Sequence, residues 1–195
     1  MMKRHPQPPA RKRASAAPTQ TLEGVKLRAV FTAGRIRKRV RELAAAINRD
    51  YKGKTVHVVG ILENSFIFMA DLVRHLKLPV ICHFVKADVR DGSTGGGVAV
   101  REIMYTPRVE AAGKDILLVD GILQSGVTQD HYLRYILGQM PASIRTVTLV
   151  EKTDERKVDT ATDYVGFKIT GKFLVGYGLG YQERLRNLPY IAQIR

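Results

Sequence analysis

Hydrophobic residues in this chain follow two rhythms, and the two alternate. Residues 32–48 place Ile36, Val40, Leu43, Ala44 and Ile47 at helical spacing, with Arg35, Lys38, Arg39 and Arg41 largely off that stripe. This pattern predicts an amphipathic helix. Short continuous apolar runs occur at residues 55–61 (TVHVVGI), 79–85, 115–119, 144–151 and 164–169, with a shorter one at 173–175. Such runs are expected of strands buried on both faces of a sheet. Asn64-Ser65 offers an N-cap for a second helix over residues 65–76, with Phe66, Met69, Ala70 and Val73 inward. A third helix is predicted over residues 129–137. Residues 91–97 (DGSTGGG) are too glycine-rich to pack and read as a flexible loop, bracketed by a strand at 98–105.

The alternation predicts an α/β fold: a mostly parallel, twisted sheet flanked by helices. Ligands of such sheets bind at the carboxyl ends of the strands. Three loops are therefore expected to gather, at residues 62–65, 120–128 and 151–153.

The segment 115–128 (DILLVDGILQSGVT) sharpens that expectation. Its apolar run Ile116-Leu117-Leu118-Val119 ends in Asp120-Gly121, then turns through Gln124-Ser125-Gly126-Val127-Thr128 into the third helix. Backbone N–H groups converge in such a loop, and the helix dipole favours an anion. Ser125 and Thr128 add hydroxyl donors. Composition alone does not separate a phosphate site from an ordinary strand–loop–helix connection.

Charge adds a second feature. The net charge is +14, and residues Met1 to Lys54 hold fifteen Lys/Arg against three Asp/Glu, while the remainder holds seventeen against fifteen. The basicity thus belongs to the N-terminal region, where nucleic acid would gain from counterion release. A solvated tail with one basic helix face fits the same counts. Residues 1–20 contain four prolines, five Lys/Arg and no acid, which predicts a disordered tail. An acid-free, Arg-rich start also resembles a transit peptide, although the prolines oppose its amphipathic helix. No apolar run approaches the roughly 18 residues of a membrane helix. The single cysteine, Cys82, excludes an internal disulfide and suits the cytoplasm. It sits in an apolar run and reads as a small buried residue. The five histidines lack metal-site spacing, and no metal ligands are assigned.

Three separated segments resemble the hypoxanthine-guanine phosphoribosyltransferases, which have the type I phosphoribosyltransferase fold. DILLVDGILQSGVT is similar to their phosphoribosyl-pyrophosphate motif. VVGILENSFIFMADLVRHL (58–76) is similar to their first strand, pyrophosphate loop and helix, and DYVGFKITGKFLVGYGLGYQERLRNLPYI (163–191) to their C-terminal segment. The likeness spans roughly residues 36–191. It implies one domain over residues 21–195, with a small hood built partly from the C-terminal segment, after the tail at 1–20. It also implies a homodimer or homotetramer, and magnesium as cofactor. Neither G-x-x-x-x-G-K-[ST] nor a dinucleotide loop is present; Gly176-Tyr177-Gly178-Leu179-Gly180 lacks the strand–turn–helix setting.

The resemblance assigns roles by position. Asp120, Gln124, Ser125, Gly126, Val127 and Thr128 would hold the ribose and its 5′-phosphate. Lys152 would hydrogen-bond the 6-oxygen of a purine, Phe173 would stack on its ring, and the backbone at Leu174 would read its edge. Arg186 would meet the pyrophosphate. Taken singly, Phe173 reads as a core aromatic, and Lys152 and Arg186 as solvated charges.

Several positions depart from the family pattern. Gln124 replaces the aspartate near purine N7, and an amide cannot take up a proton near neutral pH. Gly121 replaces the second acid of the ribose pair. Gly180 replaces the magnesium-linked aspartate. Glu63 replaces the lysine of the pyrophosphate loop, and a carboxylate there repels pyrophosphate. The Ser-Tyr pair of the closing loop is absent from residues 85–97. The expectation is therefore a purine phosphoribosyltransferase of nucleotide salvage with weak or lost catalysis. The alternative is a non-catalytic purine-nucleotide-binding or regulatory protein of the same fold.

Overall fold

A computed structural model describes residues 26–86 and 109–194. The predicted tail at 1–20, the glycine-rich loop and the strand at 98–105 lie outside the described residues. The elements run β1 (Leu27–Phe31), α1 (Ala33–Asp50), β2 (Val56–Leu62), α2 (Phe66–Val73), β3 (Val80–Lys86), β4 (Asp115–Leu123), α3 (Val127–Leu137), β5 (Ser143–Lys152), β6 (Tyr164–Ile169), β7 (Leu174–Val175) and β8 (Ile191–Ile194).

Five strands form a parallel sheet in the order β3-β2-β4-β5-β6. Its inner strands are the continuous apolar runs, which need cover on both faces. One face packs under α1 and α2: Ile36, Val40, Leu43 and Ile47 meet Val56, Val58, Leu117, Val119, Val147 and Leu149. The stripe predicted for α1 is the buried one, and Thr32 caps the helix by accepting the Arg35 N–H at 3.3 Å. On the other face, Tyr132 and Ile136 of α3 cover Val59, Ile61, Ile116 and Leu118.

A second sheet, β1-β8-β7, is antiparallel and small. Leu174, Tyr177, Leu179 and Ile191 turn into the α1–α2 core. Val175, Leu185, Leu188 and Ala192 form a core of their own. The Tyr177 hydroxyl donates to Asp71 of α2 at 2.5 Å, which fastens this sheet to the main body.

Three expectations need correction. In α2 the buried residues are Phe68, Met69 and Leu72, while Phe66 and Ala70 are exposed. Gly60 beneath the helix sets this phase: a Cβ there would lie 2.4 Å from the Met69 sulfur, so Met69 presses on bare backbone. Ser65 makes no side-chain cap; its hydroxyl donates to the Ile61 carbonyl at 2.6 Å. Cys82 is exposed. It lies on β3, the edge strand of the described sheet, where Ile81 and Phe84 are exposed as well. An apolar run does not distinguish an edge strand from a central one.

Candidate functional site

β2 leads through α2 to β3 on one side of it, whereas β4 lies on its other side. Loops leaving the carboxyl ends of β2 and β4 therefore diverge, and a crevice opens between them. A cavity of about 180 Å³ occupies this place, lined by Ile61, Leu62, Asn64, Asp120, Ile122, Leu123, Gln124, Ser125, Gly126, Thr128 and Gln129. Two of the three predicted loops meet here.

The loop after β4 is built for an anion. Gly126 is the N-cap of α3, with φ of 83° and ψ of −12°. That left-handed conformation suits glycine, and a Cβ would come within 3.0 Å of the Val158 carbonyl. Ser125 accepts the Val127 N–H at 3.4 Å, and the Asp130 N–H returns to the Gly126 carbonyl at 2.9 Å. The first-turn N–H groups and the dipole of α3 thus point toward the cavity.

Asp120 is buried beneath this loop and accepts the Ile122 N–H at 3.2 Å. Burial pushes its carboxyl up to about 7, against the backbone hydrogen bonds of Ile122 and Gly121, which lower it. Gln124 stands exposed at the rim of the cavity.

Two supports of the loop were not legible in the sequence. Lys157 and Val158 donate their N–H groups to the Ser125 carbonyl at 2.9 and 3.1 Å. Arg156 reaches under the loop, donating to Glu151 at 3.0 Å and to the Thr160 carbonyl at 2.6 Å. Its Nη1 atom is buried without a partner among the described residues, 3.3 Å from where a Gly126 Cβ would sit. Arg156 lies in the charged run KTDERK, which reads as solvated surface; no local signal marked it. Gln129 is likewise buried at the cavity, with its Oε1 atom unpartnered.

The candidate purine residues stand apart from the cavity lining. Lys152 ends β5 with its side chain 3% exposed, paired with Glu155 at 2.5 Å. Phe173 is half exposed and meets Tyr181 edge-on, with ring centroids 5.5 Å apart. Leu174 is buried opposite Gln193 in the small sheet.

The loop at 62–65 is held by Arg186, both of whose terminal nitrogens are engaged by protein oxygens while its Nε is buried without a partner among the described residues. Arg186 donates to Asn64 Oδ1 at 2.8 Å and to the Gly178 carbonyl at 2.9 Å. Its other terminal nitrogen pairs with Glu63 at 3.0 Å and Glu183 at 3.3 Å. Lys86 approaches the second oxygen of Glu63 at 3.4 Å. The Asn64 carbonyl fills the space above two glycines: a Cβ on Gly121 would lie 2.1 Å from it, and one on Gly178 2.7 Å. A Cβ on Gly180 would meet the Arg186 guanidinium carbon at 2.7 Å.

Residues 28–182 match the phosphoribosyl transferase domain model. The chain is 37% identical over 170 residues to the hypoxanthine-guanine phosphoribosyltransferase of Dictyostelium discoideum, covering 85% of this chain and 94% of the relative. It is 38% identical over 165 residues to the hypoxanthine phosphoribosyltransferase of Salmonella typhimurium, covering 82% and 90%. Among solved structures, a hypoxanthine phosphoribosyltransferase from Staphylococcus aureus superposes with a TM-score of 0.80 at 32% identity, over 89% of this chain and 93% of the other. A hypoxanthine-guanine phosphoribosyltransferase from Bacillus anthracis gives 0.76 at 33% identity, over 88% and 100%. The parallel sheet, its crevice and these likenesses across most of the chain agree, and the chain belongs to the hypoxanthine-guanine phosphoribosyltransferase family.

Proposed function

We propose that this protein is a purine phosphoribosyltransferase of nucleotide salvage that holds a 6-oxopurine nucleoside 5′-monophosphate and forms it slowly. The phosphate loop carries this reading: Gly126 opens α3 beside buried Asp120, around one cavity at the strand crossover. In this reading the N–H groups and hydroxyls of Ser125 to Thr128 hold the 5′-phosphate. Asp120 faces the ribose hydroxyls, Lys152 donates to the purine 6-oxygen, and Phe173 lies against the ring. The reaction joins N9 of hypoxanthine or guanine to C1′ of phosphoribosyl pyrophosphate, and pyrophosphate leaves.

Gln124 limits the rate, because its amide hydrogen-bonds N7 without exchanging a proton. The residues on the pyrophosphate side do not fit a protein-held magnesium ion. Gly121 and Gly180 offer no carboxylate, and the Arg186 cation rests on Gly180. No step is assigned to the metal. The resemblance further suggests two or four copies per assembly.

A turnover assay with hypoxanthine, guanine and phosphoribosyl pyrophosphate, joined to calorimetry with inosine and guanosine monophosphates, tests the proposal. Slow turnover with clear nucleotide binding is expected. Binding without turnover favours the non-catalytic reading, which Gln124 motivates. Neither turnover nor binding at millimolar ligand rejects both.

A further inference from the structure

The loop at 62–65 and the segment 178–186 present an anion site already filled. Arg186 is the cation that the family resemblance assigns to pyrophosphate, yet each terminal nitrogen is engaged by protein oxygens, leaving only its buried Nε unpartnered among the described residues. One of these belongs to Glu63, and Glu183 adds a second carboxylate to the same nitrogen. A diphosphate arriving here meets two carboxylates before it meets the guanidinium. It must displace at least one of them, and the displaced charge stays nearby.

The backbone commits to this arrangement as well. The Asn64 carbonyl rests where side chains on Gly121 and Gly178 would project, and the Arg186 guanidinium rests where one on Gly180 would. A carboxylate at 121 or 180 would force the loop or the arginine away. The glycines at these positions and the carboxylate at Glu63 are thus parts of one closed packing. Three substitutions that look like separate losses in the sequence meet at one place in the fold.

Resting on the purine-nucleotide reading above, we propose that Glu63 is an internal anion that holds the place of pyrophosphate on Arg186, so that the site accepts one phosphate and selects nucleoside 5′-monophosphate over phosphoribosyl pyrophosphate. The 5′-phosphate loop lies on the far side of the cavity, with no carboxylate of the described residues paired to it there. The two phosphate positions of the family's substrate therefore diverge here: one is receptive, the other self-occupied.

Calorimetry on the full chain in magnesium-containing buffer tests this, with inosine monophosphate, phosphoribosyl pyrophosphate and inorganic pyrophosphate as separate probes. Wild type should bind inosine monophosphate at least about tenfold more tightly than phosphoribosyl pyrophosphate. Glu63→Gln should raise affinity for pyrophosphate and phosphoribosyl pyrophosphate about tenfold, well beyond any change for inosine monophosphate. Glu63→Lys should raise it further, and Glu183→Gln, whose carboxylate lies farther out, should raise it less. The Glu63 side chain is 41% exposed, so its replacement leaves the core intact; the wild-type comparison needs no variant at all. Inorganic pyrophosphate needs no purine pocket and separates the two readings. A pyrophosphate gain without nucleotide binding supports the internal anion and rejects the purine reading. Nucleotide binding with no pyrophosphate gain, or equal wild-type affinity for both ligands, overturns the internal anion and leaves the purine reading standing. If no ligand binds any variant, both are overturned.

Discussion

Two loops face each other across the cavity, and they treat charge in opposite ways. After β4, the backbone turns through Gly126 so that the N-terminus of α3 faces the cavity, and a half-buried Arg156, paired with Glu151, supports the turn from below. After β2, the backbone turns inward, its Asn64 carbonyl lies on two glycines, and Glu63 covers Arg186. The first loop opens a helix N-terminus to the cavity, while beside the second the terminal nitrogens of Arg186 are taken up by protein oxygens. Both begin at carboxyl ends of adjacent parallel strands, so position in the sheet does not decide whether a loop binds. What decides is where the hydrogen-bonding groups of the loop are spent.

Breaking the closed loop should give the largest effect. Gly121→Asp drives a side chain into the Asn64 carbonyl and should destabilise the fold by about 3 kcal/mol. Urea unfolding measures this, and an unchanged midpoint would mean that the loop yields freely. Lys152→Met removes the donor proposed for the 6-oxygen. It should weaken inosine monophosphate binding by about 2 kcal/mol and leave adenosine monophosphate binding nearly unaltered. Equal losses for both nucleotides would remove Lys152 from base selection.

Asp120 sharpens the comparison through pH. Burial raises its folded carboxyl to about 7 from an ordinary 3.8, so the unfolded chain releases this proton first. Its contribution to stability is therefore full below pH 3.8, declines as pH rises, and levels off above about 7. Asp120→Asn should flatten that decline and stabilise the free protein at pH 8 by about 2 kcal/mol. Parallel pH–stability curves for the two proteins would contradict this. Gly126→Ala should have the smallest effect, about 1.5 kcal/mol of stability from the left-handed backbone, with weaker nucleotide binding. Unchanged calorimetric affinity would show that the loop tolerates a Cβ.

Much of this architecture was legible in the chain because its signals are local. The stripe of α1 and the apolar runs of β2, β4, β5 and β6 report burial directly, and the loop at 120–128 announces its glycine turn. β1 and β8 carry no such signal, since LRAVF and IAQI are short and become strands only by pairing within the small sheet. Cys82 is exposed against expectation because its strand is the edge of the described sheet. At the site, Glu63, Gly121 and Gly180 stand far apart in the sequence as separate departures from the family pattern. Their joint packing around Asn64 and Arg186 depends on contacts spanning more than a hundred residues, such as Arg186 to Asn64, which no window of sequence contains. Arg156 sits in a run of charged residues that reads as surface, and only the fold brings it beneath Gly126, thirty residues earlier in the chain.

The pairing of β1 with β8 has a consequence for how the chain is made. The five described strands of the main sheet have been synthesised by Ile169, whereas β1, the first described element, has no partner among the described residues until Ile191–Ile194 leaves the ribosome. The crevice and its phosphate loop can therefore form early, while Arg186 and the segment that closes on Glu63 arrive later. During synthesis the protein should pass through a form whose pyrophosphate side is still open. Closure therefore follows the formation of the crevice, set by a segment translated after it.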